Sequence, residues 1–184
     1  MAMRLRTFES FWLLKNGLLY TYPMLRKNIS TEILVIGGGI TGALISTSLV
    51  EKGYTVVMVD RRDIGQGSTS ATTSMLQYEI DKKLFELAAQ IGEEGAALCY
   101  QEGINAINDL DALVNRYGID CGFTRKKSLY IAHSKTASKD LFKEYDLRDK
   151  YALGVQWLTA GAIKKEYGII CHGGILSDTA ASVD

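Results

Sequence analysis

Six consecutive residues, Gly37-Gly38-Gly39-Ile40-Thr41-Gly42, carry the spacing Gly-x-Gly-x-x-Gly, and Asp60 follows eighteen positions after the last of them. Residues of these types at this spacing bind a pyrophosphate and the sugar beside it. Gly37 permits a tight turn, and Gly39 lets the backbone approach a pyrophosphate with no Cβ in the way. Gly42 lets a helix pack closely on the preceding strand. Free N–H groups at the start of that helix, from Ile40 and Thr41 onward, bind the anion. The Asp60 carboxylate accepts hydrogen bonds from ribose hydroxyls. In a chain with eighteen glycines the hexapeptide alone is a weak signal, and its context is what gives it weight.

That context is a set of elements able to position it. Glu32-Ile-Leu-Val-Ile-Gly37 is a short β-branched apolar run, the pattern of a strand buried on both faces. Residues 40–52 predict a helix that ends at Gly53. Tyr54-Thr-Val-Val-Met-Val-Asp60 predicts a second buried strand, which completes one right-handed βαβ unit. Arg61 and Arg62 could pair a 2′-phosphate, but Asp60 at the strand end would repel one. The acid therefore favours a free ribose, as in NAD or FAD.

Beyond the acid, Arg61–Ser74 is a long loop rich in Gly, Ser and Thr. Apolar residues at helical spacing run from Glu79 to Tyr117, with breaks or ends expected at Gly92, Gly95 and Gly118. Lys127–Ala132 predicts a strand, 136–153 a charged surface helix, and Val155–Leu158 another strand. Thr159 is a candidate N-cap for a helix through Tyr167. Gly173–Ser177 starts a further extended segment, and no closing helix or strand is expected over Ala180–Asp184. One βαβ unit is far short of a full doubly wound sheet, so the chain reads as the front half of something larger.

Composition excludes several classes. Of the 184 residues, 21 are Lys or Arg and 21 are Asp or Glu, so the zero net charge provides no footprint for nucleic acid. Cys99, Cys121 and Cys171 form no CxxC pair, so neither a disulfide framework nor a metal site is expected and a reducing cytoplasm is the default. Residues 1–31 read as an amphipathic leader. Met1–Arg6 is basic and Phe11–Leu14 apolar, but Glu9, Lys15 and Asn16 interrupt the run, and no stretch is long enough for a membrane span. His133 and His172, Cys171 without metal-ligand company, Trp12, Trp157 and the Arg125–Lys127 cluster all read as ordinary packing or surface residues.

On these residues the chain resembles the FAD-dependent oxidoreductases of the D-amino-acid oxidase and glycine oxidase superfamily. The likeness rests on Ile33–Gly42, Val56–Asp60 and Gly65–Leu76, continues more weakly through Lys127–Ala132 and Trp157–Ala160, and ends at Ala181–Asp184. It implies an α/β fold: a Rossmann-type FAD-binding βαβ unit over 32–78, then the incomplete start of an α+β substrate domain over 79–184. By resemblance, Ile40, Thr41 and Gly42 face the pyrophosphate of FAD, and Asp60 and Arg61 lie at the adenosine ribose. Ser68 and Thr69 reach pyrophosphate or ribityl oxygens. Thr73, Ser74 and Met75 lie near the flavin ring, with Thr73 and Ser74 standing where the family often carries glycine.

The resemblance also implies a small-molecule amine or amino-acid substrate that loses hydride to flavin N5. Substrate-holding residues would come from a later half of the family's chain, so no catalytic residue is assigned and turnover by these residues alone is not expected. Two other classes fit the motifs. One is a nicotinamide-dependent dehydrogenase, disfavoured by the long hydroxyl-rich loop after Asp60. The other is a truncated, non-catalytic module expected to self-associate through exposed sheet edges.

Overall fold

The computed structural model describes residues 10–17 and 20–184, so the basic opening of the leader, Met1–Arg6, lies outside the described residues. The chain divides into two compact units, Met1–Thr73 and Ser74–Asp184.

In the first unit a short helix α1 (Phe11–Asn16) precedes strand β1 (Ile33–Ile36), helix α2 (Ile40–Glu51) and strand β2 (Val56–Val59). β1 and β2 run parallel, with Ile33 opposite Val56 and Ile36 opposite Val59, and α2 is the crossover between them. Polar groups tie the two strand starts together. Thr31 Oγ1 donates to the Thr55 carbonyl at 2.8 Å, and the Glu32 carboxylate accepts from the Thr55 N–H at 2.7 Å. The Arg61–Ser74 stretch, read from sequence as a loop, contains one turn of 3₁₀ helix at Ser68–Ala71.

The expectation that both strands are buried on both faces does not hold. Ile36 is 81% exposed and Leu34 54%, and Ile40, Ile45 and Val50 of α2 are exposed as well. Strands with this apolar pattern become covered on both faces only when further strands and helices flank them. Among the described residues this sheet has two strands.

The second unit is built on an antiparallel sheet. Its elements are β3 (Met75–Gln77), α3 (Leu84–Ile91), α4 (Glu93–Tyr117), β4 (Thr124–Ile131), α5 (Lys135–Lys150), β5 (Val155–Leu158), α6 (Ala160–Tyr167) and β6 (Gly174–Ser182). β6 is central. β4 pairs along it from Ile131↔Gly174 to Thr124↔Ser182, β5 pairs with Gly174–Ser177, and β3 pairs with Ala180–Ser182. The segment over Ala180–Asp184, read from sequence as having no closing strand, is thus largely the end of the most paired strand in the sheet. Helix starts and stops follow local chemistry. Ser134 and Thr159 cap α5 and α6 by accepting from the N–H groups of Ala137 and Ala162, and Gly118 ends α4 in the left-handed region.

Several boundaries depart from the sequence pattern, among them the start of β4 at Thr124 rather than Lys127. Residues 79–83 are not helical, and Gly95 lies inside α4 and not at a break. Helix α5 stops at Lys150 rather than 153 and is not only a surface helix, since it buries Leu141, Glu144 and Arg148. The late start of helix after residue 83 has a physical cause. Lys83, which precedes α3, offers no side-chain cap. A carboxylate from α5 does that work: Glu144 Oε1 accepts from the Leu84 N–H at 2.9 Å, and Oε2 accepts from the Phe85 N–H at 3.2 Å.

Glu144 is itself held by Arg148 one turn later, through Nε at 2.8 Å and a second guanidinium nitrogen at 2.7 Å. Arg148 also reaches the Tyr78 hydroxyl at 3.3 Å and Glu79 at 3.2 Å. Arg148 is 1% exposed and Glu144 0%, among the apolar residues Tyr78, Leu84, Ala96, Tyr100, Ile107, Leu153 and Ala181. Burial, reinforced by the Glu144 charge, pushes the Tyr100 phenol well above its ordinary value, so it stays a neutral donor to the Lys82 carbonyl at 2.8 Å.

A buried ion pair that loses one member leaves an uncompensated charge at a cost of about 3–5 kcal/mol. Arg148→Met is accordingly expected to lower stability by roughly that amount in urea unfolding monitored by circular dichroism. A change below about 1 kcal/mol would mean that Glu144 finds another partner.

Candidate dinucleotide site

The site forms where β1 turns into α2. Gly37 lies at φ 118°, a conformation that side chains rarely adopt, and its N–H donates to the Val59 carbonyl at 2.8 Å, which carries the pairing one residue past the strand. Gly42 sits where the helix meets that turn. A Cβ there would run into the Gly37 carbonyl oxygen and lie 3.5 Å from Met58 Sδ. A Cβ on Gly39 would stand 3.1 Å from Thr69 Oγ1, so the missing side chain leaves room for that hydroxyl over the start of α2.

Asp60 closes the mouth from β2. Its Oδ2 accepts from the Gly38 N–H at 2.8 Å and its Oδ1 from the Arg62 N–H at 2.8 Å. These two bonds, the Gly38 bond first, hold the carboxyl below the usual carboxylate range. A carboxylate has about four acceptor positions, so two remain for hydroxyl donors. The loop after Asp60 folds back over the turn: the Gly65 N–H donates to the Gly38 carbonyl at 2.8 Å, and Thr69 Oγ1 accepts from the Ile40 N–H at 3.0 Å.

The Ile40 amide is one of the first-turn N–H groups that a helix cannot satisfy internally. A threonine hydroxyl that accepts this bond still has its own proton to donate. It can therefore hold the helix start and an anion at the same time.

Gly37, Gly39, Ile40, Thr41, Gly42, Asp60 and Thr69 thus gather at one end of the βαβ unit. Arg61 is exposed at the end of β2, and Ser68 opens the 3₁₀ turn. Thr73 is the last residue of the first unit. Ser74 and Met75 belong to the second, where Met75 pairs with Ser182, and the Ser74 carbonyl accepts from the Val183 N–H at 3.0 Å. Ser74 has φ 56°, the left-handed region that glycine enters without strain, although it carries a side chain.

Two participants escaped the sequence reading. Gly38, between the named glycines, donates to the acid, and Gly65, at φ 73°, anchors the returning loop. The Gly65-Gln-Gly67 spacing right after the acid was the available signal.

The described residues contain no group of three or more His, Cys, Asp or Glu able to hold a metal ion, and no helix among them is long and apolar enough to cross a membrane.

A parallel strand–glycine turn–helix–strand unit with an acid at its mouth is the arrangement of a dinucleotide-binding fold. The chain belongs to the DAO family of FAD-dependent oxidoreductases, whose family model matches residues 32–184. It is similar to a putative Rieske 2Fe-2S iron-sulfur protein of Bacillus subtilis, 26% identical over 148 residues that make up 80% of this chain and 28% of that protein. It is also 28% identical to the glycine oxidase of Geobacillus kaustophilus, over 71% of this chain and 33% of the enzyme.

Among solved structures, that glycine oxidase superposes with a TM-score of 0.62 over 83% of this chain and 40% of its own. The L-amino acid deaminase of Proteus vulgaris superposes with 0.66 at 17% identity, over 89% and 36%. These likenesses show the fold. The chain spans between 28% and 40% of the length of the relatives named here.

Gly42→Ala is expected to destabilise the first unit by about 1–3 kcal/mol, the ordinary range for overpacking a tight contact. Thermal unfolding of the variant against the parent checks this, and an unchanged midpoint would show that α2 can withdraw from the turn.

Proposed function

We propose that this chain grips FAD at the β1–α2 turn and forms part of an enzyme that oxidises an amine or amino acid. The single observation carrying the cofactor assignment to residues is the Asp60 carboxylate, fixed by the Gly38 amide at the mouth of a glycine turn that leads into a helix N-terminus. Gly39, Ile40, Thr41 and Gly42 would face the pyrophosphate, with Thr69 Oγ1 relaying the Ile40 bond onward and Ser68 beside it. Asp60 and Arg61 would meet the adenosine ribose. Thr73, Ser74 and Met75 would follow the cofactor toward its ring.

Bound there, FAD would supply the capacity to accept a hydride from the carbon bearing the substrate's nitrogen. The residues of this chain bind and orient it. The helix start offers N–H donors and a partial positive charge to the pyrophosphate, and Asp60 selects an unphosphorylated ribose. Amino-acid substrates are those from which the similar glycine oxidase and L-amino acid deaminase take their names. The domain division we favour places the cofactor unit at 32–78 and the substrate-domain start at 79–184. Three free cysteines fit a reducing cytoplasm.

The intact protein should purify yellow, release FAD on denaturation, and lose flavin absorbance when mixed anaerobically with its amine or amino-acid substrate. A colourless protein with no releasable flavin would reject the assignment. Because its two N–H bonds lower the Asp60 pKa, the carboxylate persists below the ordinary carboxylate range. Its contribution is complete at neutral pH and is lost only as pH falls through the lowered value. FAD affinity should therefore be flat from pH 8 down to about 5, the reference carboxylate pKa lying near 4. A midpoint above pH 5 in a fluorescence titration would contradict the role given to Asp60.

A further inference from the structure

The sequence reads Trp12 as a packing residue of the leader, and the structure gives it a polar contact within the first unit. Trp12 Nε1–H donates to the Thr72 carbonyl at 2.7 Å. Thr72 in turn donates its N–H to the Thr69 carbonyl at 3.5 Å, and Thr69 Oγ1 accepts from the Ile40 N–H at 3.0 Å. Three hydrogen bonds thus run from the leader, through the 3₁₀ turn, to the start of α2. The indole is itself oriented by the edge of Phe11, with ring centroids 4.9 Å apart.

A six-residue helix does not hold its shape alone in water. α1 therefore owes its place to the turn it touches, and the turn gains in exchange a tether that its own sequence does not provide. The turn is one four-residue stretch of 3₁₀ helix, closed locally by Ser70 Oγ donating to the Gly67 carbonyl at 3.0 Å. Its hydroxyl at position 69 is the group that meets the Ile40 amide.

We propose that Trp12 is a positioning residue for the dinucleotide: through the Thr72 carbonyl it holds Thr69 over the N-terminus of α2 and so sets how long FAD is retained. The proposal rests on FAD occupying the β1–α2 turn, as argued above. It also gives α1 a function, as a strap that must loosen for the cofactor to leave.

The test uses the intact FAD-loaded protein and the variant Trp12→Phe, which keeps an aromatic ring but removes the donor. Loss of one such hydrogen bond should speed FAD release about three- to tenfold, read as the rise of flavin fluorescence when the holoprotein is diluted into flavin-free buffer. Trp12→Ala, which removes the ring as well, should release at least as fast.

A purely structural role predicts an altered melting midpoint of the apoprotein. A positioning role predicts instead that FAD slows tryptic cleavage after Lys15 in the parent and fails to do so in Trp12→Phe. Equal release rates in parent and variant would overturn the proposal while leaving the FAD assignment standing. A parent protein that carries no flavin would overturn both, and the failure would be visible before any substitution was made.

Discussion

The approach of α2 to the turn after β1 governs everything at the candidate site. No side chain fits between Gly42 and the Gly37 carbonyl, so the helix axis comes as close to the strand as backbone allows. That closeness points the helix start at the space above the turn, where its unsatisfied N–H groups and its dipole act on the same point. It also sets the Gly38 amide within reach of Asp60, at the far end of the neighbouring strand. The hydrogen bond to the acid is a consequence of the packing and not a separate device.

Two carboxylates in this chain perform one physical task in opposite surroundings. Asp60 accepts backbone N–H groups at an exposed turn, and water is at hand to compensate for any bond it lacks. Glu144 accepts the first amides of α3 in a dry interior, with Arg148 beside it and tyrosines around it. The first arrangement leaves acceptor capacity free for a ligand. The second uses its capacity inside the protein, where an unpaired charge would be expensive. Solvent access distinguishes a carboxylate able to take a ligand from one committed to architecture.

Much of the first unit was legible in the residues. The β-branched run, the glycine spacing and the acid each have one structural role, and they fix a parallel βαβ unit with α2 beginning at Ile40. What stayed hidden depended on partners far away in sequence. The start of α3 could not be placed from its own residues, because its cap comes from Glu144. β3 is three residues long and exists through its pairing with β6, so no period was available to find it. The exposure of Ile36 was misread for the reverse reason. Its pattern describes a covered strand, but coverage is a property of neighbours. The hydrogen bond from Trp12 to the Thr72 carbonyl, across sixty positions, had no sequence signal beyond the aromatic residue itself.

The cap that Glu144 places on α3 crosses sixty positions of chain. The first turn of α3 cannot complete itself before α5 arrives, so that turn should open and close with α5 and not fray independently. In amide hydrogen exchange the first turn of α3 would then share the opening free energy of the middle of α5. Helix ends ordinarily exchange fast; here a terminus inherits the protection of an interior.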